Sequence, residues 1–267
     1  MALLHSSFYR FTPMPDPPGS AEWLRERGAA LALGGVVLVA QEGLSAAIAG
    51  EADAVRTFEA ELRAQPGLAG LHFKHNICER RPFSRLKVSV KREIVAFGVP
   101  GVSGEDTGTH VSPQRFRELL AHPDTVVLDN RNSFEFKLGR FRGAVDPGVA
   151  HFRDFPAYVE AHLEVWQGKT VAMYCTGGIR CEKTAAWMQQ RGLNVAQLDG
   201  GILGFLEAFP DDAATDWQGE CYVFDKRIAI DAMGRETGTT AEDVFTDPAD
   251  VWRLARARRL DPEDGAA

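Results

Sequence analysis

The stretch Thr170-Val171-Ala172-Met173-Tyr174-Cys175-Thr176-Gly177-Gly178-Ile179-Arg180-Cys181-Glu182-Lys183 decides how the second half of this chain folds. Its first five residues are a short apolar run of the kind found in buried parallel strands. Cys175 stands where that strand ends, two glycines follow, and Arg180 opens a helical pattern containing Ala185 and Met188 and stopped by Gly192. Ligands of open α/β sheets bind outside the carboxyl ends of the strands. A short loop closing onto a helix N-terminus turns backbone N–H groups inward, and these groups with the helix dipole stabilise an anion. For a cysteine the anion is its own thiolate, so the Cys175 pKa is expected below the free value of about 8.5, with the sulfur uncovered. Gly177 and Gly178 permit the positive φ that such a loop needs and leave no side chain between sulfur and substrate.

Outward from this loop, Thr125–Asp129 and Asn194–Leu198 repeat the short apolar pattern. Helical segments are predicted at about 114–121, 133–138, 152–166, 182–191 and 202–208, giving a doubly wound parallel sheet. Between Cys175 and Arg180 stand four residues, one fewer than in the phosphate-cradling loop of cysteine-dependent phosphatases. The smaller ring suits a single added sulfur or a planar group better than a tetrahedral phosphate. Arg180 either braces the loop or faces an incoming anion. Asp129 and Arg131, at the end of a neighbouring strand, are read as holding loops by charge-assisted hydrogen bonds. Cys181 either packs in phase with Ala185 and Met188 or resolves an oxidised Cys175. Gly200-Gly201 reads as a turn supporting the reactive loop, and Cys78 and Cys221 as ordinary buried thiols.

Residues 1–97 alternate short strands and helices. A strand at Phe8–Phe11 ends in the Pro-rich turn 13–19, and a helix runs from an N-cap at Ser20, with Glu22 in its first turn, to about Leu33. Gly34-Gly35 is expected to stop it. Val36–Gln41 and Leu44–Ala49 read as a hairpin about Glu42-Gly43. Val55, Phe58 and Leu62 share one face of a helix over 53–65. Leu71–Phe73 and Leu86–Val90 follow as strands, the second placing Lys87 and Lys91 on an exposed face. This β-α-β-β-α-β order is the ferredoxin-like split motif, an α+β domain. Four glycines and two prolines between Gly98 and Pro113 mark 98–113 as linker. The second domain then occupies 114–212 and a tail 213–267, with a strand at Cys221–Phe224 and an arginine-rich end at Arg253, Arg256, Arg258 and Arg259.

At 267 residues the chain accommodates two small domains, and 45% hydrophobic with 25% charged residues is a globular composition. The longest apolar run, Ala29–Ala40, is 12 residues, short of the ~20 needed to span a bilayer. The first residues lack an export signal, so a cytoplasmic location and no membrane partner are expected. Four cysteines at irregular positions make no disulfide framework and point to thiol chemistry in a reducing compartment. Net charge is −7, yet Lys74–Arg92 carries seven Lys/Arg against the single acid Glu79. That asymmetry fits either a polyanionic partner or a solvated strand face. No motif for metal, flavin or dinucleotide is apparent, so neither metal nor bound cofactor is expected.

The cysteine loop is preceded by Val126-Val127-Leu128-Asp129-Asn130-Arg131 with Glu135, and by Gly139, Phe141, Gly143 and Ala144. It is followed by Leu198-Asp199-Gly200-Gly201-Ile202. Together these motifs resemble a rhodanese homology domain. With Pro82–Val88, Lys91–Val95 and Val223-Phe224-Asp225-Lys226-Arg227, the resemblance extends over roughly residues 5–230 to the rhodanese-like tRNA uridine hydroxylases. It implies a ferredoxin-like domain followed by a rhodanese-like catalytic domain, and oxygen-dependent formation of 5-hydroxyuridine at the tRNA wobble position. It further implies Cys175 as the active-site residue; from the residues themselves, Thr176, Gly177, Gly178, Ile179 and Arg180 are read as its loop and Asp129, Arg131 and Cys181 as supporting residues. Arg80, Arg81, Arg85, Lys87, Lys91 and Arg92 are the candidate contacts to tRNA, whose anticodon stem-loop presents the uridine. Molecular oxygen is the expected co-substrate. The alternative is a sulfurtransferase that passes sulfur through a Cys175 persulfide. Oligomeric state is not legible.

Overall fold

The computed structural model describes residues 3–258, so Arg259 lies outside the described residues. The chain divides into two compact units. One takes in the residues up to Ile94 with Phe224–Arg227 and the chain from Ala241; the other holds Val95–Val223 and Ile228–Thr240.

The first unit is built on β1 (Leu3–Phe11), α1 (Pro17–Ala30), β2 (Gly34–Ala40), β3 (Gly43–Glu51), α2 (Ala52–Arg63), β4 (Lys74–Cys78) and β5 (Leu86–Val90). The sheet order β4-β1-β3-β2 is that of the expected split motif, and β5 is added at the β2 edge in parallel. The basic strand is therefore a fifth strand rather than the fourth. Val55, Phe58 and Leu62 of α2 are buried in one core with Phe8, Val37 and Ile48 from the sheet.

Several local expectations need correction. Helix α1 starts at Pro17, because Asp16 accepts a hydrogen bond from the Gly19 N–H (3.0 Å) and a proline at the first turn leaves no N–H unsatisfied. Ser20 and Glu22 therefore lie inside the helix. The turn out of α1 uses Ala32 in the left-handed region (φ 52°). Gly34 and Gly35 belong to β2, where a Cβ on Gly35 would lie 2.4 Å from the Ala47 carbonyl oxygen. The strand expected at 71–73 is instead β4, paired antiparallel with β1. Leu71 drops into the core. Phe73 packs edge-on against Phe8 at 4.9 Å. An edge strand with polar outward residues carries little apolar signal.

The second unit contains β6 (Thr109–Val111), α3 (Pro113–Leu120), β7 (Thr125–Asp129), α4 (Ser133–Leu138), β8 (Gly139–Phe141), α5 (Phe155–Glu160), α6 (Leu163–Trp166), β9 (Thr170–Tyr174), α7 (Ile179–Gln189), β10 (Asn194–Leu198) and α8 (Gly201–Ala208). Beyond these come β11 (Trp217–Gly219), β12 (Cys221–Tyr222) and β13 (Ala229–Ile230). The parallel sheet runs β6-β10-β9-β7. Strand β9 alternates strictly between two cores. Ala172 and Tyr174 pack with Phe116, Ile202 and Phe205, whereas Val171, Met173 and Cys175 pack with Phe155, Ala185 and Met188. Helices therefore cover both faces, as a doubly wound sheet requires.

The stretch expected as linker contains β6, which pairs with β10. Its short, polar sequence Thr109-His110-Val111 gave no strand pattern. The helix expected over 152–166 is interrupted at His162, whose ring nitrogen bonds the Tyr158 carbonyl (2.7 Å) and so competes for the acceptor of the next turn. The strand expected at Cys221–Phe224 ends at Tyr222. Two further helices, α9 (Ala241–Val244) and α10 (Val251–Arg258), cluster with the first unit. Among the described residues no helix is long and apolar enough to cross a membrane.

Candidate active site

Strand β9 delivers Cys175 to the carboxyl edge of the sheet, and α7 begins four residues later. Gly178 is the N-cap with φ 102°, a backbone that a side-chain-bearing residue rarely adopts. Its N–H donates to Cys175 Sγ at 3.1 Å. Of the two glycines, only Gly178 uses a positive φ. The loop rests on the next turn: the Ile202 N–H donates to the Cys175 carbonyl (3.0 Å) and the Leu203 N–H to that of Thr176 (3.1 Å). Gly201, at φ +63°, has no room for a Cβ, which would lie 2.5 Å from the Cys175 carbonyl oxygen. Gly200-Gly201 thus supports the loop as expected.

Arg180 is a brace. Its guanidinium donates two parallel hydrogen bonds to Glu135 (2.7 and 2.8 Å), and both side chains are buried. Glu135 also accepts the Asn132 N–H at the start of α4 (3.1 Å). Burial acts to raise the Glu135 carboxyl, but the adjacent Arg180 holds it below its ordinary value. Sequence reasoning assigned Glu135 no role of its own, although its place three residues into a helix, after Asn132, is a capping signal. Thr176, Gly177 and Ile179 are the partly exposed members of the loop.

Beneath it, Arg131 and Asp129 form a fully buried bidentate pair (2.9 and 2.7 Å), and the Tyr174 hydroxyl donates to the same carboxylate (2.6 Å). Arg131 also reaches the Gly139 carbonyl (2.5 Å). These contacts hold the ends of β7 and β9 and the start of β8 together.

The sulfur itself departs from expectation, since Cys175 is fully buried rather than uncovered. Burial acts to raise its pKa, but the hydrogen bond with Cys181, the charge of Arg180 and the N–H groups of Arg180 and Gly178 lower it to about 5. Cys181, also buried, is pushed up by burial and by the Cys175 thiolate, so it stays protonated and donates. Asn130 Nδ2 lies 3.8 Å from the Cys181 sulfur and donates to Thr184 at 2.6 Å. The arrangement sets two buried cysteine sulfurs side by side, the first with its pKa lowered and the second with its pKa raised. Burial raises the Cys221 thiol to about 12, leaving it inert at neutral pH. Among the described residues no cluster of three or more His, Cys, Asp or Glu could hold a metal ion.

The six basic candidates, Arg80, Arg81, Arg85, Lys87, Lys91 and Arg92, belong to the first unit and are all exposed.

Residues 4–94 match the UPF0176 acylphosphatase-like domain and residues 112–208 the rhodanese-like domain. A tRNA uridine(34) hydroxylase of Synechococcus elongatus is 46% identical over 233 residues, 86% of each chain. The chain belongs to the tRNA uridine(34) hydroxylase family. Another member, from Deinococcus radiodurans, is 44% identical and aligns with 97% of this chain and 84% of its own. A rhodanese-related protein of Thermoplasma volcanium shows a weak structural likeness, with TM-score 0.30 and 20% identity over 38% of this chain and 92% of that one. In this family context the loop of Cys175 is the candidate catalytic element.

Proposed function

We propose that the protein hydroxylates uridine 34 of tRNA, with Cys175 as the nucleophile. The supporting observation is the cysteine sulfur at the head of α7, held by the Gly178 N–H at 3.1 Å and with its pKa lowered by Cys181 and Arg180, in a chain whose relatives carry this activity in their names. The thiolate adds to C6 of uracil and leaves a carbanion at C5 that combines with molecular oxygen and a proton to give a C5 hydroperoxide. Two thiol equivalents reduce the hydroperoxide to the alcohol and water and leave as a disulfide. Loss of the C5 proton then expels the Cys175 thiolate from C6 and restores the ring. Arg180 keeps the sulfur anionic before attack and after departure. Because the sulfur is enclosed, the base reaches it only when the loop opens.

The exposed basic residues of the first unit bind tRNA phosphates, and the anticodon stem-loop supplies an unpaired uridine that is removed from its stack at little cost. The persulfide alternative uses the same loop, but a basic domain is superfluous for transfer between small molecules. Nucleosides from cells carrying only Cys175→Ser should contain no 5-hydroxyuridine by mass spectrometry. Undiminished 5-hydroxyuridine would exclude the covalent scheme.

A further inference from the structure

We propose that Cys181 supplies the second thiol of the reaction, taking the terminal oxygen of the C5 hydroperoxide onto its sulfur and then closing a disulfide with Cys175; this rests on the hydroxylation reading above. The hydroperoxide is bonded to the base, and the base to Cys175, so its reduction falls to the sulfur that lies beside Cys175. That sulfur belongs to Cys181, which hydrogen-bonds Cys175 within the same buried cluster. Of the other cysteines, Cys78 belongs to the first unit and Cys221 is held protonated by burial.

The fold fixes this neighbour from two sides. Cys181 stands in the first turn of α7, where its N–H donates to the Gly178 carbonyl (2.9 Å). Asn130 approaches from the end of β7: its N–H donates to the Tyr174 carbonyl (2.8 Å), and its Nδ2 lies 3.8 Å from Cys181 Sγ. In the same amide, Oδ1 is buried and, among the described residues, has no hydrogen-bond partner. Buried acceptors are ordinarily satisfied. A hydroxyl carried by the Cys181 sulfur would supply the missing donor, which a merely packed thiol does not.

Burial and the neighbouring Cys175 both push the Cys181 thiol up; once Cys175 is bonded to C6, its contribution is gone. The Cys181 sulfur then attacks the terminal oxygen of the hydroperoxide. The O–O bond breaks and the Cys181 proton passes to the oxygen left on C5, giving the C5 alcohol and a sulfenic acid on Cys181. Elimination frees the Cys175 thiolate, which attacks the Cys181 sulfur. The S–S bond forms, the S–O bond breaks, and the hydroxide leaves as water with the proton lost from C5. A dithiol reductant afterwards returns both thiols.

The test is a single turnover in which reduced full-length protein, freed of small thiols, receives tRNA in air and is quenched with acid. Trypsin cuts after Lys169, Arg180 and Lys183, so Cys175 and Cys181 fall in separate peptides, Thr170–Arg180 and Cys181–Lys183, that only a disulfide joins. In the wild type the joined peptide should rise in step with 5-hydroxyuridine and stay absent when tRNA is withheld. Cys181→Ser, which keeps a hydroxyl beside Cys175, should yield no 5-hydroxyuridine under these conditions and regain it with excess dithiol. Loss that dithiol does not repair, with no joined peptide in the wild type, makes Cys181 a packing residue and overturns the inference. So does 5-hydroxyuridine formed by the wild type without the joined peptide, or a first turnover that needs added dithiol; each leaves the hydroxylation reading intact. Wild type that makes no 5-hydroxyuridine even with excess dithiol overturns both.

Discussion

At Cys175 two opposing effects meet on one atom. Burial disfavours a thiolate, while Cys181, Arg180 and two amides favour it, and the second set prevails. Ionisation and accessibility are therefore separate properties of this residue. Peptide-resolved alkylation across a pH series should show Cys175 labelling with a midpoint near 5 and a plateau rate below that of an open thiolate, because the sulfur is buried. A midpoint at or above the free value of about 8.5 would refute the charged sulfur. The position of Cys175, at a strand end before two glycines and a helix, was legible in the sequence. Its enclosure was not, because the partner that folds Arg180 inward, Glu135, is 45 residues distant in sequence.

Among the elements, those with a strong apolar run were read closely: β7, β9 and β10 occupy the expected residues, and α2 buries the expected face. The misreadings share a cause. Strands β4 and β6 lie at sheet edges, where half the backbone is unpaired and polar sequences suffice, so periodicity is weak. The start of α1 depended on one carboxylate, Asp16, outbidding Ser20 as cap. Helix α8 carries a further consequence through its first residue. Gly201→Ala introduces a Cβ against three backbone atoms of the cysteine loop, at 2.5 to 2.8 Å, in a left-handed conformation. It should destabilise the protein by about 2 to 4 kcal/mol in chemical denaturation and suppress hydroxylation, since the loop and the helix cannot both keep their places. A variant of wild-type stability and activity would mean that the close packing of this turn is dispensable.

For the molecule as a whole, acid sensitivity should originate in the first unit. His5 is buried beside Asp225 and Arg227, and burial, reinforced by the Arg227 charge, lowers its pKa to about 4 from 6.5. The native state thus holds fewer protons than the unfolded chain between these values, so stability falls as pH drops from about 6.5 to 4. The shift corresponds to about 3 kcal/mol at its limit. Denaturation midpoints should decline over this window in the wild type and decline less in His5→Gln; parallel curves for the two proteins would rule out His5 as the origin.

The division of the chain has a further implication. The first compact unit includes Phe224–Arg227, encoded far downstream of its own sheet, and that segment supplies the acid and the base that face His5 and Asn76. A gene fragment ending near codon 94 would specify this unit without its closing piece. Recombination that exchanged either half between proteins would therefore deliver an unfinished fold.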